Sequence, residues 1–231
     1  MVLATDSPAV LHPGRRHPFA GRSRWLAAIL VTAGGVLQVI EFALVRRGLS
    51  APERIEWWVA NPSRVELSQA AGILAIPFLI GGFLVMARLC FWQSRRITVL
   101  ATSLLCAAMV GLAGIQGLEM SANWLAQAGD TEAAVLVMES ATPGIPGISL
   151  LVMFLLGALG GMVLLNVALW RSSYVPRVVV FFTVGFVVLD FFVSMSLLGH
   201  LSVLAADLIL GWAIVTGFRR MPREARTSRA D

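Results

Sequence analysis

Six blocks of apolar residues divide the chain, at about 25–45, 68–91, 97–118, 148–170, 178–198 and 200–218. At 1.5 Å per helical residue each can cross a hydrocarbon core of about 30 Å, the sixth being the shortest. The pattern predicts an all-α fold. Six transmembrane helices form one membrane domain, 25–218, between a disordered tail, 1–24, and a basic tail, 219–231. Pro77 falls mid-way along the second block and predicts a kink there.

Two longer stretches, 46–67 and 119–147, separate blocks. In the first, Ser50 suits a helix N-cap and Pro52 a first turn, and Ile55, Trp58 and Val59 make an apolar stripe. That predicts a short interfacial helix over 50–60, with Trp57 and Trp58 at the lipid headgroups. Asn61-Pro62 ends it, and Ser63 to Glu66 has capping-box spacing for the next helix. In the second stretch Asp130 caps another short helix to Ser140, and Pro143-Gly-Ile-Pro146 is irregular. The alternative is that both stretches cover the outer face of the bundle.

Charge orients the helices. Arg15, Arg16, Arg22 and Arg24 precede the first block; Arg88, Arg95 and Arg96 surround the second turn; Arg171 and Arg177 the fourth; five more run from Arg219 to Arg229. That places 14 of 18 arginines on one side, against Arg46, Arg47, Arg54 and Arg64 on the other. The positive-inside rule then puts both termini in the cytoplasm of a bacterial inner-membrane protein, and both long loops outside.

Composition agrees: 58% of the 231 residues are hydrophobic, 13% are charged, and the mean hydropathy is +0.81. The net charge of +5 comes from arginine alone. In a soluble protein it would suggest nucleic acid; at the ends of apolar blocks it orients helices, so the bilayer is the expected partner and nucleic acid is not. Cys90 and Cys106 read as small apolar side chains. No HExxH, GxSxG, P-loop or paired histidine ligand occurs, which argues against a metalloprotease, serine hydrolase or haem protein; no metal and no cofactor is expected.

Against this background three acids stand out: Asp190 in the fifth block and Asp207 in the sixth, with no Lys or Arg nearby to neutralise them, and Glu41 in the first. A carboxylate at bilayer depth costs about 2.5–3.5 kcal/mol on insertion scales, so each needs a reason. Asp190 and Asp207 lie about 18 Å and 15 Å from the inner ends of their helices. With a turn at Gly199 they would face each other at one depth and share a proton or cation. Glu41 is nearer the outside, with Gln38 one turn below; Gln116 and Glu119 end the third block on the same side, and His200 begins the sixth there. Asp190, Asp207 and Glu41 are the candidate catalytic acids. Gln38, Gln116, Glu119, His200 and Phe186 are candidate substrate contacts, Phe186 with Phe181, Phe182, Phe191 and Phe192 stabilising a cation. The competing reading pairs each acid with Ser194, Ser196, Ser202 or a backbone carbonyl for packing alone.

The turn Ala168-Leu-Trp-Arg171-Ser172-Ser-Tyr-Val175-Pro176-Arg177 resembles the Arg/Lys-Ser-x-x-Leu/Val-Pro-Arg turn of a widespread family of uncharacterised bacterial multi-pass proteins of similar length. That resemblance implies a helical membrane bundle and carries no reaction and no site residue. By general plan alone, the chain is also similar to small integral-membrane terpene cyclases, which protonate an isoprenoid with carboxylic acids inside the membrane. Three functions follow: an intramembrane enzyme on an isoprenoid or lipid-like substrate; a small transporter or its membrane-embedded substrate-binding subunit; and an accessory or assembly protein with no ligand.

Overall fold

A computed structural model describes residues 17–140 and 145–219. Among these residues all regular structure is helical: α1 (Arg22–Leu44), α2 (Ala51–Ala60), α3 (Pro62–Gln127), α4 (Thr131–Ser140), α5 (Ile145–Arg171), α6 (Arg177–Val187), a π-helical turn (Val188–Phe192) and α7 (Ser196–Thr216). By length and composition α1, α3, α5 and α7 are apolar enough to cross a membrane. Large apolar side chains cover the outside of the bundle, among them Trp25, Val110, Leu156, Phe181, Leu208 and Trp212. Continuous apolar surface of this kind belongs in acyl chains, not in water. The long apolar helices thus mark a membrane-embedded protein. The expected tails, 1–24 and 219–231, lie largely outside the described residues.

α3 is folded at Ser94 (φ −148°, ψ 48°), where its dihedrals leave the helical region, between the second and third apolar blocks; Pro77 lies inside the first arm. The arms on either side run antiparallel. Gln69, in the first, donates from Nε2 to the Glu119 carbonyl in the second at 3.3 Å, and Asn123 Nδ2 donates to Gln69 Oε1 at 3.1 Å. Gln69 and Glu119 are equally distant in sequence from Ser94. Both arms overshoot the apolar blocks, starting at Pro62 and ending at Gln127, so residues 119–127 are helix and not loop. Backbone hydrogen bonding does not need apolar side chains, and the polar ends simply continue the helices.

These protruding ends carry α2 and α4. Ile55 and Trp58 pack with Val65, Ala122, Ala126 and Ala134 in a small second core. Trp58 is only 2% exposed, which overturns its expected role as a headgroup anchor: the loop helices cap the bundle. Ser50 behaves as expected, its N–H and hydroxyl both donating to Glu53 Oε2, at 2.9 and 2.7 Å, which holds the exposed Glu53 carboxyl below its ordinary range. Asp130 Oδ1 accepts the Ala133 N–H at 3.0 Å and so caps α4. Ser63 does not cap α3, which starts one residue earlier with Pro62 in its first turn. Of the expected irregular stretch, 141–144 lies outside the described residues and Pro146 is in the first turn of α5.

The block 178–198 is not one helix. α6 ends at Val187, the π turn follows, the Val193 N–H reaches back to the Val188 carbonyl (3.1 Å), and Ser194 has φ +57°. The reversal into α7 is therefore at 193–195, and Gly199 lies inside α7. At the opposite end the described termini meet: Arg24 lies beside Gly217, and the His17 and Tyr174 rings are 5.3 Å apart. Tyr174 belongs to the Arg171–Arg177 turn. There Ser172 Oγ donates to the Leu89 carbonyl at 2.8 Å, Pro176 caps α6, and the Arg177 guanidinium lies 4.8 Å over the Trp170 ring. The motif that carries the resemblance thus ties the α5–α6 turn to the first arm of α3.

Candidate functional site

α1 and α7 lie antiparallel in a register that organises the polar side chains. Phe42 stacks on His200 with ring centroids 3.7 Å apart. Seven residues down each helix, Gly35 faces Asp207, and a Cβ at Gly35 would be 2.6 Å from Asp207 Oδ2. A cavity of about 470 Å³ runs between α1, both arms of α3, α5, the π turn and α7. Glu41, Gln38, Gln116, Glu119, Phe186, Asp190, His200 and Asp207 all line it. Its other end is walled by Met86, Leu105, Met109, Phe154, Met162 and Leu165. An apolar chamber with its polar groups gathered at one end, in this size range, is the ordinary form of a small-molecule site.

The geometry within the set differs from the expected one. A Cβ at Gly199 would be 3.2 Å from the Asp190 Cβ, so Asp190 sits beside the first turn of α7. Asp207 is eight residues further along α7, about 12 Å at 1.5 Å per residue. The two aspartates therefore do not face each other across a hairpin. The cause is the break at 193–195, which places Asp190 at the end of its element. Asp190, His200 and Glu41 occupy one level, and Asp207 lies two turns deeper.

Glu41 is buried, and Oε1 accepts Gln116 Nε2 at 2.7 Å. Gly72 leaves the space: a Cβ there would be 2.7 Å from Gln116 Nε2 and 2.8 Å from Glu41 Cδ. Glu41 also has a cation. Arg47 Nη2 is 3.8 Å from Oε1, with its guanidinium 3.6 Å over the Phe42 ring. Gly48, at φ +79°, lets the chain reverse and bring Arg47 back. Six residues separate Arg47 from Glu41, a spacing that shares no helix face, so only the reversal reveals the pair. Glu119 has a cation too, with Arg54 Nη1 at 3.6 Å.

His200 Nδ1 lies 2.7 Å from the Ser196 carbonyl and 4.0 Å from Asp190 Oδ1. A carbonyl only accepts, so Nδ1 carries the proton and Nε2 is the basic nitrogen. Phe186 meets the imidazole edge-on at 5.3 Å. Gln38 lines the cavity without a hydrogen bond to protein among the described residues. Among the serines, Ser202 donates to the Phe182 carbonyl at 2.8 Å and not to an acid. Asp207 is buried and has no ion pair among the described residues. Deeper still, the Thr183 hydroxyl lies against Asn166 Oδ1, and Asn166 Nδ2 donates to the Met162 carbonyl at 2.9 Å. Glycines 35 and 72 thus make room for carboxyl groups.

No protein-family model matches the chain, and no curated protein and no solved structure matches it.

Proposed function

We propose that this is a six-span protein of the bacterial cytoplasmic membrane, with both termini inside, that binds a small isoprenoid or lipid-like molecule in its cavity and acts on it by acid catalysis. The spans are α1, the two arms of α3, α5, α6 with its π turn, and α7. Trp25, Trp92, Trp170 and Trp212 are exposed near the arginine-rich end, where an aromatic belt would mark the cytoplasmic interface. In a background lacking Cys90 and Cys106, cysteine introduced at Ala128 should label from outside intact cells and cysteine at Ser173 should not. The reverse pattern would invert the topology.

The observation that carries the chemical reading is the cavity's division into an apolar chamber and a polar end, with Asp207 between them. A prenyl chain whose head stays at the polar end would bring its terminal double bond or epoxide against Asp207, where the apolar chamber begins. Proton transfer from the Asp207 carboxyl to that carbon or oxygen creates a carbocation; ring closure carries the positive charge along the chain towards the polar end, and loss of a proton beside the new cationic carbon to His200 Nε2, two turns away, closes the step with no change in oxidation state. Phe154, Phe186 and Phe191 would stabilise the cation through their ring faces. Terpene cyclases of the integral-membrane type suggest this class by analogy.

Protein in nanodiscs, supplied with a prenyl alcohol or its terminal epoxide in D₂O, should yield an isomerised or cyclised product, which carries carbon-bound deuterium when it comes from the alcohol's double bond and only exchangeable deuterium when it comes from the epoxide. Absence of any product from either substrate, with the chain retained in the cavity, would leave a binding protein and remove the catalytic reading.

A further inference from the structure

Beside the polar end of the cavity lies a second, smaller pocket of about 230 Å³, under α2 at the loop end of the bundle. Arg46, Arg47 and Arg54 line it, with Glu119 its one acidic side chain. Arg47 and Glu119 also line the large cavity, so these two residues stand between the chambers. Trp58 lines the small pocket as well; its indole Nε1 is fully buried and has no hydrogen-bond acceptor among the described residues. An indole N–H can only donate, and a buried donor left unmet is unfavourable.

We propose that this pocket holds the phosphate or diphosphate group of an anionic amphiphile whose chain lies in the adjoining cavity. The inference rests, for the chain, on the reading of the cavity given above, and names the substrate class. Three guanidiniums against one carboxylate leave a net charge of +2 on the lining. The ion pairs do not use up their donors: Arg54–Glu119 at 3.6 Å and Arg47–Glu41 at 3.8 Å are both longer than hydrogen bonds. Arg46 is exposed and forms no ion pair among the described residues. Each guanidinium presents a planar fork of N–H groups that matches phosphate oxygens two at a time. The same anion gives the Trp58 N–H the acceptor it lacks. Ser68 does not compete, because its hydroxyl already donates to the Glu41 carbonyl at 2.9 Å. A carboxylate or neutral head would use fewer of these donors than a tetrahedral phosphate.

The test is equilibrium binding of labelled farnesyl diphosphate to the full chain in phosphatidylcholine nanodiscs. Farnesol, inorganic diphosphate and added phosphatidylglycerol serve as competitors. Farnesyl diphosphate should bind at least about tenfold tighter than farnesol, the effect of one or more charge-assisted hydrogen bonds. Arg46→Gln, Arg54→Gln and Trp58→Phe should each remove most of that difference and leave farnesol binding unchanged. Arg46 is exposed, so its variant tests the site without disturbing the fold. Equal affinity for alcohol and diphosphate, or a preference indifferent to all three substitutions, overturns the phosphate pocket alone. Displacement by phosphatidylglycerol assigns the pocket to bulk lipid headgroups and overturns the proposal. So does inorganic diphosphate binding as tightly as the prenyl form, which assigns it to a free anion. Failure of farnesol to bind at all counts against the cavity reading instead.

Discussion

Asp207→Asn should lower prenyl turnover by a factor of about a hundred or more, the range ascribed to a positioned general acid, and leave the protein folded. The substitution is isosteric, and the amide fits the space that Gly35 leaves opposite the carboxyl. No cation would be orphaned, since no ion pair to Asp207 exists among the described residues. A side chain that only supports packing gives the opposite pattern: activity within a few-fold of wild type and a midpoint of thermal unfolding that is unchanged or raised. Asp190→Asn is the informative companion. Asp190 lies 4.0 Å from the His200 Nδ1 while the Ser196 carbonyl lies at 2.7 Å, so the carboxylate tunes an imidazole that is already oriented. Its loss should move the pH profile more than it lowers the maximum rate. Equal and complete loss in both variants would mean that the two aspartates act as a unit despite their separation along α7.

The sequence identifies which side chains meet but not how they are arranged. Hydropathy finds helices because burying apolar length is what a bilayer rewards, and polar residues inside those helices must turn inwards. Glu41, Gln38, Gln116, Glu119, Phe186, Asp190, His200 and Asp207 consequently line one cavity. Depth counting then misplaces Asp190, because it assumes an unbroken helix through 178–198. The break at 193–195 contains no glycine or proline; Ser194 takes the positive φ instead, and nothing in the local pattern announces it. Ser94 is equally silent, although the two blocks that flank it are apparent. Arg47 shows another limit. Counted as one loop charge among four, it orients the chain, yet the reversal at Gly48 folds it back onto Phe42 and Glu41. Trp58 reads as an interfacial anchor because sequence shows its apolar stripe but not the small second core that covers it.

The glycines of the α3–α5 contact offer the largest effect on stability. A Cβ at Gly157 would lie 2.6 Å from the Leu104 carbonyl oxygen and 3.0 Å from both the Ala108 Cβ and its backbone nitrogen. At Gly111 the obstacles are the Leu150 carbonyl at 2.7 Å and the Phe154 nitrogen at 2.9 Å. These are backbone atoms that no rotamer change can move, so the helices themselves would have to separate. Close approach through small residues is what holds membrane helices together when lipid is as apolar as the protein interior. Gly157→Leu should therefore destabilise the bundle by about 3 kcal/mol or more, the upper part of the range for overpacking, read from unfolding in mixed detergent. Leu105 and Phe154 belong to both this contact and the cavity wall, so the same variant should also weaken farnesol binding. Gly160 supplies the control in the same helix. A Cβ there meets Leu104 Cδ1 at 3.6 Å, an ordinary contact, so Gly160→Ala should be neutral or, through helix propensity, stabilising by up to about 1 kcal/mol. Equal effects at the two positions would mean that helix propensity, and not the interhelical approach, governs this face. A tolerated leucine at Gly157 would mean that α5 does not pack against the second arm as closely as these distances require.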